Sequence, residues 1–448
     1  MGKMFGTDGV RGKANVDLTP MLAYELGNKG AHVLKKIHGD GSRAKIVVGR
    51  DTRISGDMLE AALAAGICAA GVDVVSFGVI PTAAVALLAK QMGAVAGVVI
   101  SASHNPAGDN GIKFFGGNGY KLPDEVENQI EDLILNESEV PLATDREIVT
   151  ITYDLDAPHR YAKYLVEHID SDLDGMKVVL DCANGASSYI AERVFGVMGA
   201  EVIATHNTPD GWNINDNCGS THIESLQQAV REHKAAVGLA FDGDADRLLV
   251  VDENGEQVSG DQIMVICAKY MKERGLLKNN KLVVTVMSNL GLKIAMEELG
   301  VEVLQTKVGD RYVIEKMRES GGIIGGEQSG HIIFSEINTT GDGLTTALFL
   351  MQILEQTKQP VSELAKAMTV LPQLMNNVRV KTKVGWEENQ AIQAAIARGE
   401  AELADKGRIL VRPSGTEPLL RVMAEGPDHA VLKKVVADIS AAVEAALN

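Results

Sequence analysis

The amino-acid sequence predicts an α/β protein made of three similar mixed α/β domains and a smaller C-terminal α+β domain. Two observations predict this architecture: short β-branched runs alternate with helical patterns over most of the chain, and the alternation changes character after Gln373. The length of 448 residues also exceeds one compact core at roughly 150 residues per domain. We place the domains at residues 1–155, 156–255, 256–370 and 371–448.

The first domain shows the alternation most clearly. It reads as a strand in KIVVGRD, a helix over 55–71, a strand in VDVVSFGVI, a helix near 83–92 and a strand in AGVVISAS. In the first of these helices Leu59, Leu63 and Ile67 recur every four residues, which predicts one buried face, and Ser55 is the expected N-cap. This βαβ order predicts a mostly parallel sheet covered by helices.

The same pattern returns twice before the chain changes. KVVLDCANG precedes a helix from about Ser188, and KLVVTVMSNLG precedes a helix near 291–299. After Gln373 a strand in NVRVKT, a long helix, a strand pair around ILVRPSGTEPLLRVMAEG and a last helix predict the α+β domain. The buried face of that last helix is predicted from four residues at i+4 spacing: Val431, Val435, Ile439 and Val443.

The composition excludes several classes of partner. Lys and Arg number 43 against 60 Asp and Glu, a net charge of −17, and there are only 2 Trp, 8 Tyr and 8 Phe, so we expect no nucleic-acid partner. No apolar stretch approaches the roughly 20 residues that cross a bilayer, and the start MGKMFGTDGVRG lacks the apolar core of a signal peptide. We therefore expect a cytoplasmic protein without a membrane partner. The scattered cysteines are expected in the core: Cys68, Cys182, Cys218 and Cys267.

The densest candidate for chemistry is the segment DGDADR, which lies between the apolar runs AAVGLAF and LLVVDE. Asp242, Asp244 and Asp246 alternate along it, so their carboxylates can point to one side as hard oxygen ligands. A solvated acidic turn is the plain alternative. A calcium EF-hand is excluded, because its sixth loop position needs Gly and holds Arg247 here, and because the flanks read as strands. Three carboxylates with open positions suit Mg²⁺ beside a phosphate oxygen.

Ser103 lies in SASHNP, directly after the apolar run AGVVI and shortly before Lys113 in NGIK. A hydroxyl at the C-terminal end of a buried parallel strand lies where open α/β sheets bind ligands, so Ser103 is a candidate nucleophile. A Ser/Asn/Pro turn is an equal alternative from this segment alone. The neighbouring His104 also suggests a hydrolase triad, but the sequence has no G-x-S-x-G elbow there.

Two later segments carry further candidate ligands. The segment RPSGTEP and the Arg that follows it combine guanidinium groups, hydroxyls and glycine N–H groups. They predict either a phosphate cradle or a capped turn. The residues concerned are Arg412, Ser414, Gly415, Thr416 and Arg421. GGEQSGH predicts a site for sugar hydroxyls or an amine and for proton transfer, or a surface hairpin: Glu327, Ser329 and His331. Three more cations could face the same ligand: Arg11, Arg50 and Arg53.

Taken in order, FGTDGVRG, SASHNP with NGIK, DGDADR, GEQSGH and RPSGTEP resemble the motifs of the α-D-phosphohexomutase superfamily, over residues 4–425. The start FGTDGVRG, the segment NCGSTHIESL and Gln328 are similar to the branch that acts on glucosamine phosphate. The resemblance implies four domains around a central cleft, the fourth with a TATA-binding-protein-like fold. It also implies an isomerase that moves phosphate between O6 and O1 of glucosamine, for the synthesis of UDP-N-acetylglucosamine and the cell wall.

The resemblance further implies a role for each segment. Ser103 would carry a phosphoryl group. Mg²⁺ would be held by Ser103 together with Asp242, Asp244 and Asp246. The intermediate and activator would be glucosamine 1,6-bisphosphate or glucose 1,6-bisphosphate. The residues expected to act on the reacting groups are Ser103, His104, Lys113, Arg247, Arg11 and His331. Those expected to hold the substrate are Glu327, Ser329, Arg412, Ser414, Gly415, Thr416 and Arg421. Whether Lys113 or His331 is the base stays open, and a homodimer through the first domain is implied.

Three alternatives stay open at this point: a sister enzyme for glucose or mannose phosphate, a catalytically silent sugar-phosphate sensor, and a serine hydrolase. The net charge of −17 adds one expectation. An acidic chain that binds a dianionic sugar phosphate needs a locally reversed charge, so we expect a confined positive pocket formed by Arg11, Lys113, Arg247, Arg412 and Mg²⁺.

Overall fold

The computed structural model describes residues 4–6, 8–38, 43–414 and 417–448. It divides into two compact units, the first formed by Met1–Met287 and Glu302–Lys366 and the second by Ser288–Val301 and Ala367–Asn448. Three mixed sheets with their helices belong to the first unit, and a three-stranded antiparallel sheet belongs to the second. The predicted class of mixed α/β domains followed by a small α+β domain is confirmed.

The first sheet has the strand order β1-β5-β4-β2-β3-β6. Its strands are β1 (Val10–Lys13), β2 (Lys45–Arg50), β3 (Asp73–Val79), β4 (Ala96–Ile100), β5 (Asp109–Gly116) and β6 (Ile151–Tyr153). The associated helices are α1 (Pro20–His38), α2 (Ser55–Ala69), α3 (Thr82–Gln91) and α4 (Asp124–Leu135). Strands β6, β3, β2 and β4 pair in parallel, whereas β5 pairs antiparallel with β4 and with β1.

Helix α2 confirms its predicted buried face, because Leu59, Leu63 and Ile67 are all fully buried. The predicted N-cap is wrong. Ser55 is already helical, and Ile54 precedes it in a helical backbone conformation, so neither residue has the extended geometry in which a side chain caps the first turn. The Ser55 hydroxyl instead accepts a hydrogen bond from the Asn110 amide at 2.9 Å.

The second sheet has the order β11-β10-β9-β7-β8. Its strands are β7 (Lys177–Asp181), β8 (Glu201–Thr205), β9 (Val237–Phe241), β10 (Leu248–Val251) and β11 (Gln257–Val258), with helices α5 (Ala157–Glu167), α6 (Ala191–Val197) and α7 (Glu224–His233). The helix predicted from about Ser188 begins three residues later, because residues 185–190 form hydrogen-bonded turns first. Strand β9 is parallel to β7 and antiparallel to β10, so the acidic segment joins two antiparallel strands.

The third sheet has the order β13-β12-β14-β15. Its strands are β12 (Lys281–Thr285), β13 (Glu302–Thr306), β14 (Ile324–Gly326) and β15 (Ile332–Phe334). The helices of this part of the chain are α8 (Gly260–Glu273), α9 (Leu290–Glu298), α10 (Asp310–Ser320), α11 (Gly343–Thr357) and α12 (Val361–Ala365), of which α9 belongs to the second unit. Each of the three sheets therefore extends a parallel centre with antiparallel strands, which is a more mixed arrangement than the predicted mostly parallel sheet.

The fourth sheet has the antiparallel order β16-β18-β17. It contains β16 (Gln373–Arg379), β17 (Arg408–Pro413) and β18 (Leu419–Glu425), with helices α13 (Gln390–Leu403) and α14 (His429–Leu447). In α14 Val435, Ile439 and Val443 are buried and Val431 is partly buried, so the predicted apolar face is confirmed.

All four cysteines are free thiols, three of them buried as expected and Cys68 partly exposed. Among the helices of the described residues, none combines the length and the apolar character that crossing a bilayer requires.

Candidate active site

Three loops of the first unit carry the predicted reactive side chains. The Ser103 segment follows β4, the acidic segment at 242–247 joins β9 to β10, and the segment at 327–331 joins β14 to β15. The first two loops begin at the carboxyl ends of strands that pair in parallel with a neighbour, where α/β sheets bind ligands. Side-chain contacts among them show that they meet.

Ser103 is buried and contacts the acidic segment directly. Its Oγ donates a hydrogen bond to Asp242 Oδ2 at 2.6 Å and lies 3.3 Å from His104 Nδ1. Its backbone has a φ of 51°, a left-handed conformation that costs a non-glycine residue free energy. Such strain persists only where surrounding contacts enforce it, so the direction of the Ser103 side chain is set by the fold.

The carboxylates of Asp242, Asp244 and Asp246 cluster as the alternating spacing predicts, with ligand atoms within 4.8 Å of one another. Burial and the neighbouring carboxylates raise the pKa of Asp242 and of Asp246 above the usual range. Asp244 Oδ1 and Asp246 Oδ1 are buried without a protein partner among the described residues. Buried, mutually repelling carboxylates with unused oxygens fit a divalent cation with hard oxygen ligands.

A chain of ion pairs joins the acidic segment to the rest of the first unit. Lys113 Nζ lies 2.9 Å from Asp244 and 3.0 Å from Asp8, and Lys121 Nζ lies 2.6 Å from both Asp8 and Asp310. Burial alone would lower the pKa of Lys113, but Asp244 and Asp8 outweigh it and raise that pKa above its ordinary value. The ammonium group of Lys113 is therefore a fixed cation of the site.

Two arginines lie beside the Ser103 loop. Arg247 Nη1 donates to His104 Nδ1 at 2.8 Å, and Arg11 forms an ion pair with Asp8. Burial, Arg247 and Arg11 lower the pKa of His104 to about 4, so its imidazole is neutral at physiological pH. A neutral ring that accepts from Arg247 orients that guanidinium close to the Ser103 hydroxyl.

The loop between β14 and β15 presents the side chains that the sequence singled out there. His331 is buried, neither of its ring nitrogens has a hydrogen-bond partner in the described chain, and Nε2 lies 3.7 Å from Asp310 and 3.9 Å from Asp246. Gly341 makes room for the ring, because a Cβ there would lie 2.4 Å from His331 Nε2. The Ser329 hydroxyl is also buried without a described partner, and Glu327 accepts from the Gly309 N–H at 3.1 Å.

The predicted phosphate cradle belongs to the second unit. Arg412 on β17 and Arg421 on β18 lie directly opposite each other, and burial together with Arg421 lowers the pKa of Arg412. Ser414 is buried, and its carbonyl accepts from Lys383 Nζ at 2.7 Å. Gly415 and Thr416 lie outside the described residues. The two arginines lie opposite each other, and Lys383 adds a third cation at the adjacent loop. Such a set of cations is typical of a phosphate site.

The structure corrects the expectation that Arg50 and Arg53 face a ligand. Arg50 pairs with Asp57 and Glu60, and the Arg53 side chain is fully buried among backbone carbonyls, so neither faces a ligand. In the first unit, before Mg²⁺ is counted, the carboxylates close to Ser103 and His331 outnumber the cations: Asp8, Asp242, Asp244, Asp246, Asp310 and Glu327 against Arg11, Lys113, Lys121 and Arg247. The expected positive pocket also includes Mg²⁺ and Arg412, and it stays a prediction.

Sequence reasoning missed the residues that connect the loops. Asp8 stands inside the motif FGTDGVRG, and Lys121 ends the GGNGYK stretch, so each was visible without an assigned role. Asp310 and Asn215 stand in segments without any motif, and only the folded chain brings them to the site.

Four family profiles match the chain in succession. They are the phosphoglucomutase/phosphomannomutase alpha/beta/alpha domains I, II and III and the C-terminal domain of the same family, over residues 2–141, 159–255, 259–371 and 375–442. The chain therefore belongs to the phosphoglucomutase/phosphomannomutase family, within the α-D-phosphohexomutase superfamily.

Inside that family the chain is similar over its full length to proteins named phosphoglucosamine mutase. It is 58% identical to the one from Carboxydothermus hydrogenoformans over 446 residues, which cover 99% of this chain and 100% of the relative. It is 57% identical to the one from Pelotomaculum thermopropionicum over 437 residues, which cover 97% and 98% of the two chains.

Solved structures share the fold. A phosphoglucomutase/phosphomannomutase family protein from Burkholderia thailandensis superposes with a TM-score of 0.84 at 25% identity, covering 100% of this chain and 99% of that one. The Aspergillus fumigatus N-acetylphosphoglucosamine mutase, solved with GlcNAc-6P and magnesium, superposes with a TM-score of 0.69 at 19% identity, covering 99% and 96%.

Proposed function

We propose that the protein interconverts glucosamine 6-phosphate and glucosamine 1-phosphate through a phosphoryl group carried on Ser103, and that its product supplies UDP-N-acetylglucosamine synthesis. One contact carries this proposal: the Ser103 Oγ donates to Asp242 of the acidic triad at 2.6 Å, which puts a nucleophile beside a cation site. The relatives named phosphoglucosamine mutase support the choice of sugar, because the similarity spans both chains from end to end.

The reaction consists of two phosphoryl transfers in opposite directions. In the first, O1 of glucosamine 6-phosphate attacks the phosphorus, the bond to Ser103 Oγ breaks, and glucosamine 1,6-bisphosphate forms. In the second, Ser103 Oγ takes the phosphoryl group from O6 and releases glucosamine 1-phosphate. Charge in such a transition state spreads over the equatorial oxygens, so fixed cations supply much of the catalysis. Arg247, Arg11 and Lys113 are the fixed cations of the first unit that we assign to this task.

The acidic triad fits Mg²⁺ by its donor set and its unused buried oxygens. Asp242, Asp244 and Asp246 would hold the ion together with the oxygen on Ser103. When bound, Mg²⁺ neutralises negative charge on the transferring group. Lys113 keeps Asp244 ionised and in place with or without the metal ion, because it forms an ion pair with that carboxylate at 2.9 Å.

The attacking sugar hydroxyl must lose a proton, and two side chains were candidates to accept it. Lys113 is held between Asp244 and Asp8, which keep its amine protonated, so we assign it a cationic role. His331 has both ring nitrogens free of hydrogen bonds within the described chain, so we assign His331 as the proton acceptor in one direction and the donor in the other.

The remaining assignments concern the substrate. Glu327 and Ser329 would read the amine and hydroxyls of the sugar, since the Ser329 hydroxyl is buried and lacks a described partner. The phosphate that is not being transferred would bind in the second unit, where Arg412 faces Arg421: the set is Arg412, Ser414, Gly415, Thr416 and Arg421. Between the two transfers the bisphosphate turns so that its other phosphate faces Ser103. Glucose 1,6-bisphosphate would serve as an alternative activator by transferring a phosphoryl group to Ser103.

Comparing sugars tests the proposal. With Mg²⁺ and the bisphosphate activator present, kcat/KM is measured for glucosamine 6-phosphate, glucose 6-phosphate and mannose 6-phosphate. We expect the highest value for glucosamine 6-phosphate. A higher kcat/KM for glucose 6-phosphate or mannose 6-phosphate, which lack the amine, would overturn the proposed specificity. Absence of turnover with all three substrates would overturn the proposed activity.

We also propose a homodimer formed through the first domain. Strand β6 supports this, because it is the edge strand of its sheet and exposes Ile151 and Tyr153. Sedimentation velocity with the Tyr153→Lys variant as the comparison is the test, and a monomer for the unaltered chain would contradict it.

A further inference from the structure

Arg53 has a fully buried side chain and donates almost all its hydrogen bonds to the backbone of the Ser103 loop. Its Nη2 donates to the carbonyls of Ser103 at 2.9 Å and Asn105 at 2.8 Å. Its Nη1 donates to the carbonyl of Asp109 at 2.9 Å and to that of Pro106. A guanidinium group that binds three carbonyls of this loop and the first carbonyl of β5 fixes the shape of the loop.

Asn215 also hydrogen-bonds to the backbone of the Ser103 loop. It lies in the connection between β8 and β9, and its amide donates to the Ser103 carbonyl at 2.9 Å and to the Asn105 carbonyl at 3.0 Å. Each of these two carbonyls therefore accepts from Arg53 and from Asn215 at once. We call Arg53 and Asn215 the loop clamp.

The amide end of Ser103 is fixed through Arg53 as well. Arg53 Nε donates to Asp51 at 2.8 Å, the Ser101 hydroxyl donates to the same carboxylate at 2.6 Å, and the Ser103 N–H donates to that hydroxyl at 2.9 Å. Both the N–H and the carbonyl of Ser103 are thus held by buried groups. This supplies the contacts that its left-handed φ of 51° requires.

The acidic segment packs against the clamped carbonyl. A Cβ on Gly243 would lie 2.6 Å from the Ser103 carbonyl oxygen and 2.8 Å from Asn215 Nδ2, so only glycine allows this approach. The Gly243 carbonyl in turn accepts from the Ala186 N–H at 2.8 Å. The clamp therefore fixes the distance between Ser103 and the segment that carries Asp242.

We propose that Arg53 and Asn215 are positioning residues that hold the Ser103 backbone in its left-handed conformation and so aim its hydroxyl at the acidic triad. This inference rests on the proposed phosphoryl transfer. Among the described residues, neither side chain hydrogen-bonds to the Ser103 hydroxyl or to a carboxylate of the triad. Both act through the two carbonyls at Ser103 and Asn105, and their removal lets the Ser103 φ relax.

The test uses the full chain with Asn215→Gly, because glycine tolerates the φ of 57° at that position and lacks the side chain that donates both hydrogen bonds. We expect kcat to fall about 10- to 100-fold while KM for glucosamine 6-phosphate stays unchanged, since misplacement by about 1 Å costs rate of that order. The thermal shift on adding Mg²⁺ should persist, because no triad carboxylate is altered. Asn213→Ala is the matched control, since among the described residues the Asn213 amide bonds within its own loop: its Nδ2 donates to the Thr208 carbonyl and its Oδ1 accepts from the Asp210 N–H.

A second variant and a direct readout complete the test. Arg53→Lys keeps the charge beside Asp51 but cannot bind four carbonyls. We therefore expect the bisphosphate to phosphorylate Ser103 more slowly in this variant, and intact-mass spectrometry measures that rate. Wild-type kcat and phosphorylation rate in Asn215→Gly would overturn the clamp while leaving the proposed function intact. An unphosphorylated and inactive wild-type protein would instead overturn the proposed function. An equal loss in Asn213→Ala would also overturn the clamp, because it would show a general effect of the loop.

Discussion

The two regions to which we assign phosphate binding balance their positive charge in opposite ways. In the first unit Lys113 pairs with three carboxylates, Lys121 pairs with two, and Arg11 pairs with Asp8. In the second unit Arg412 faces Arg421 across neighbouring strands, and no carboxylate of the described chain pairs with either guanidinium. The first region is preorganised, whereas the second is incompletely balanced.

This difference suggests a division of labour. Buried cations that already have partners cost little to keep in place during a reaction, so the first unit can hold Ser103 and the triad rigidly. Like charges directly opposite each other on a sheet are destabilising, so the arginine pair gains most when a phosphate dianion binds between them. Chemistry and anchoring are therefore expected to respond differently to substitution.

The largest effect should come from Ser103→Ala, which removes the proposed nucleophile from the preorganised region. We expect turnover to fall at least about a thousandfold, as for other nucleophile deletions. The three triad carboxylates remain, so the thermal shift caused by Mg²⁺ should survive. Retained turnover in a coupled assay with glucosamine 6-phosphate would contradict the assignment.

The next largest effect is the difference in free energy of unfolding between the Asp244→Asn and Asp246→Asn variants. Asp244 pairs with buried Lys113, and breaking a buried pair costs about 3 kcal/mol. Asp246 lies 3.8 Å from Lys113, and its raised pKa shows that its charge is disfavoured, so its neutralisation should leave the metal-free protein equally or more stable. Urea unfolding in EDTA measures both, and an equal loss in the two variants would refute this reading of the network.

Arg412→Ala and Arg421→Ala should each raise KM for the sugar phosphates about 10- to 100-fold, the range of a lost charge-assisted hydrogen bond. The melting temperature without substrate should not fall, because a like-charged neighbour is removed. Arg379→Ala on β16 is the matched control, since this exposed arginine belongs to the same sheet. A lower melting temperature in both variants would show that the pair is structural.

The smallest effect is expected for His104→Gln. We assign the ring the task of orienting Arg247, so kcat should fall about tenfold or less, the usual worth of one hydrogen bond. Because the pKa of His104 is lowered from 6.5 to about 4, the unfolded chain binds a proton in that interval and the folded chain does not. Stability contributed by the neutral ring is thus lost as the pH falls from 6.5 towards 4. The variant should lose less unfolding free energy over this range than the wild type.

Much of this was predictable because it depends on local sequence. The alternation of Asp242, Asp244 and Asp246 directs three carboxylates to one place, and the i+4 spacing in α2 and α14 marks buried faces. The N-cap of α2 was not predictable from Ser55, because the backbone of Ile54 had already become helical.

What the sequence could not show is pairing over long separations. Arg53 looks like a surface cation in its segment, yet it is buried because carbonyls from a loop 50 residues away surround it. Asn215 reaches that loop across 112 residues, and no local pattern marks such a contact. The partners of Lys113 and Lys121 likewise come from distant parts of the chain.

One measurement tests the central claim most directly. The protein is labelled with radioactive phosphate on Ser103 and mixed with one equivalent of unlabelled glucosamine 6-phosphate and Mg²⁺, and the reaction is stopped within a single turnover. We predict that the label leaves Ser103 and appears first in the sugar bisphosphate. Label released as inorganic phosphate would identify a hydrolase, and label that stays on the protein during turnover would contradict a phosphoserine mechanism.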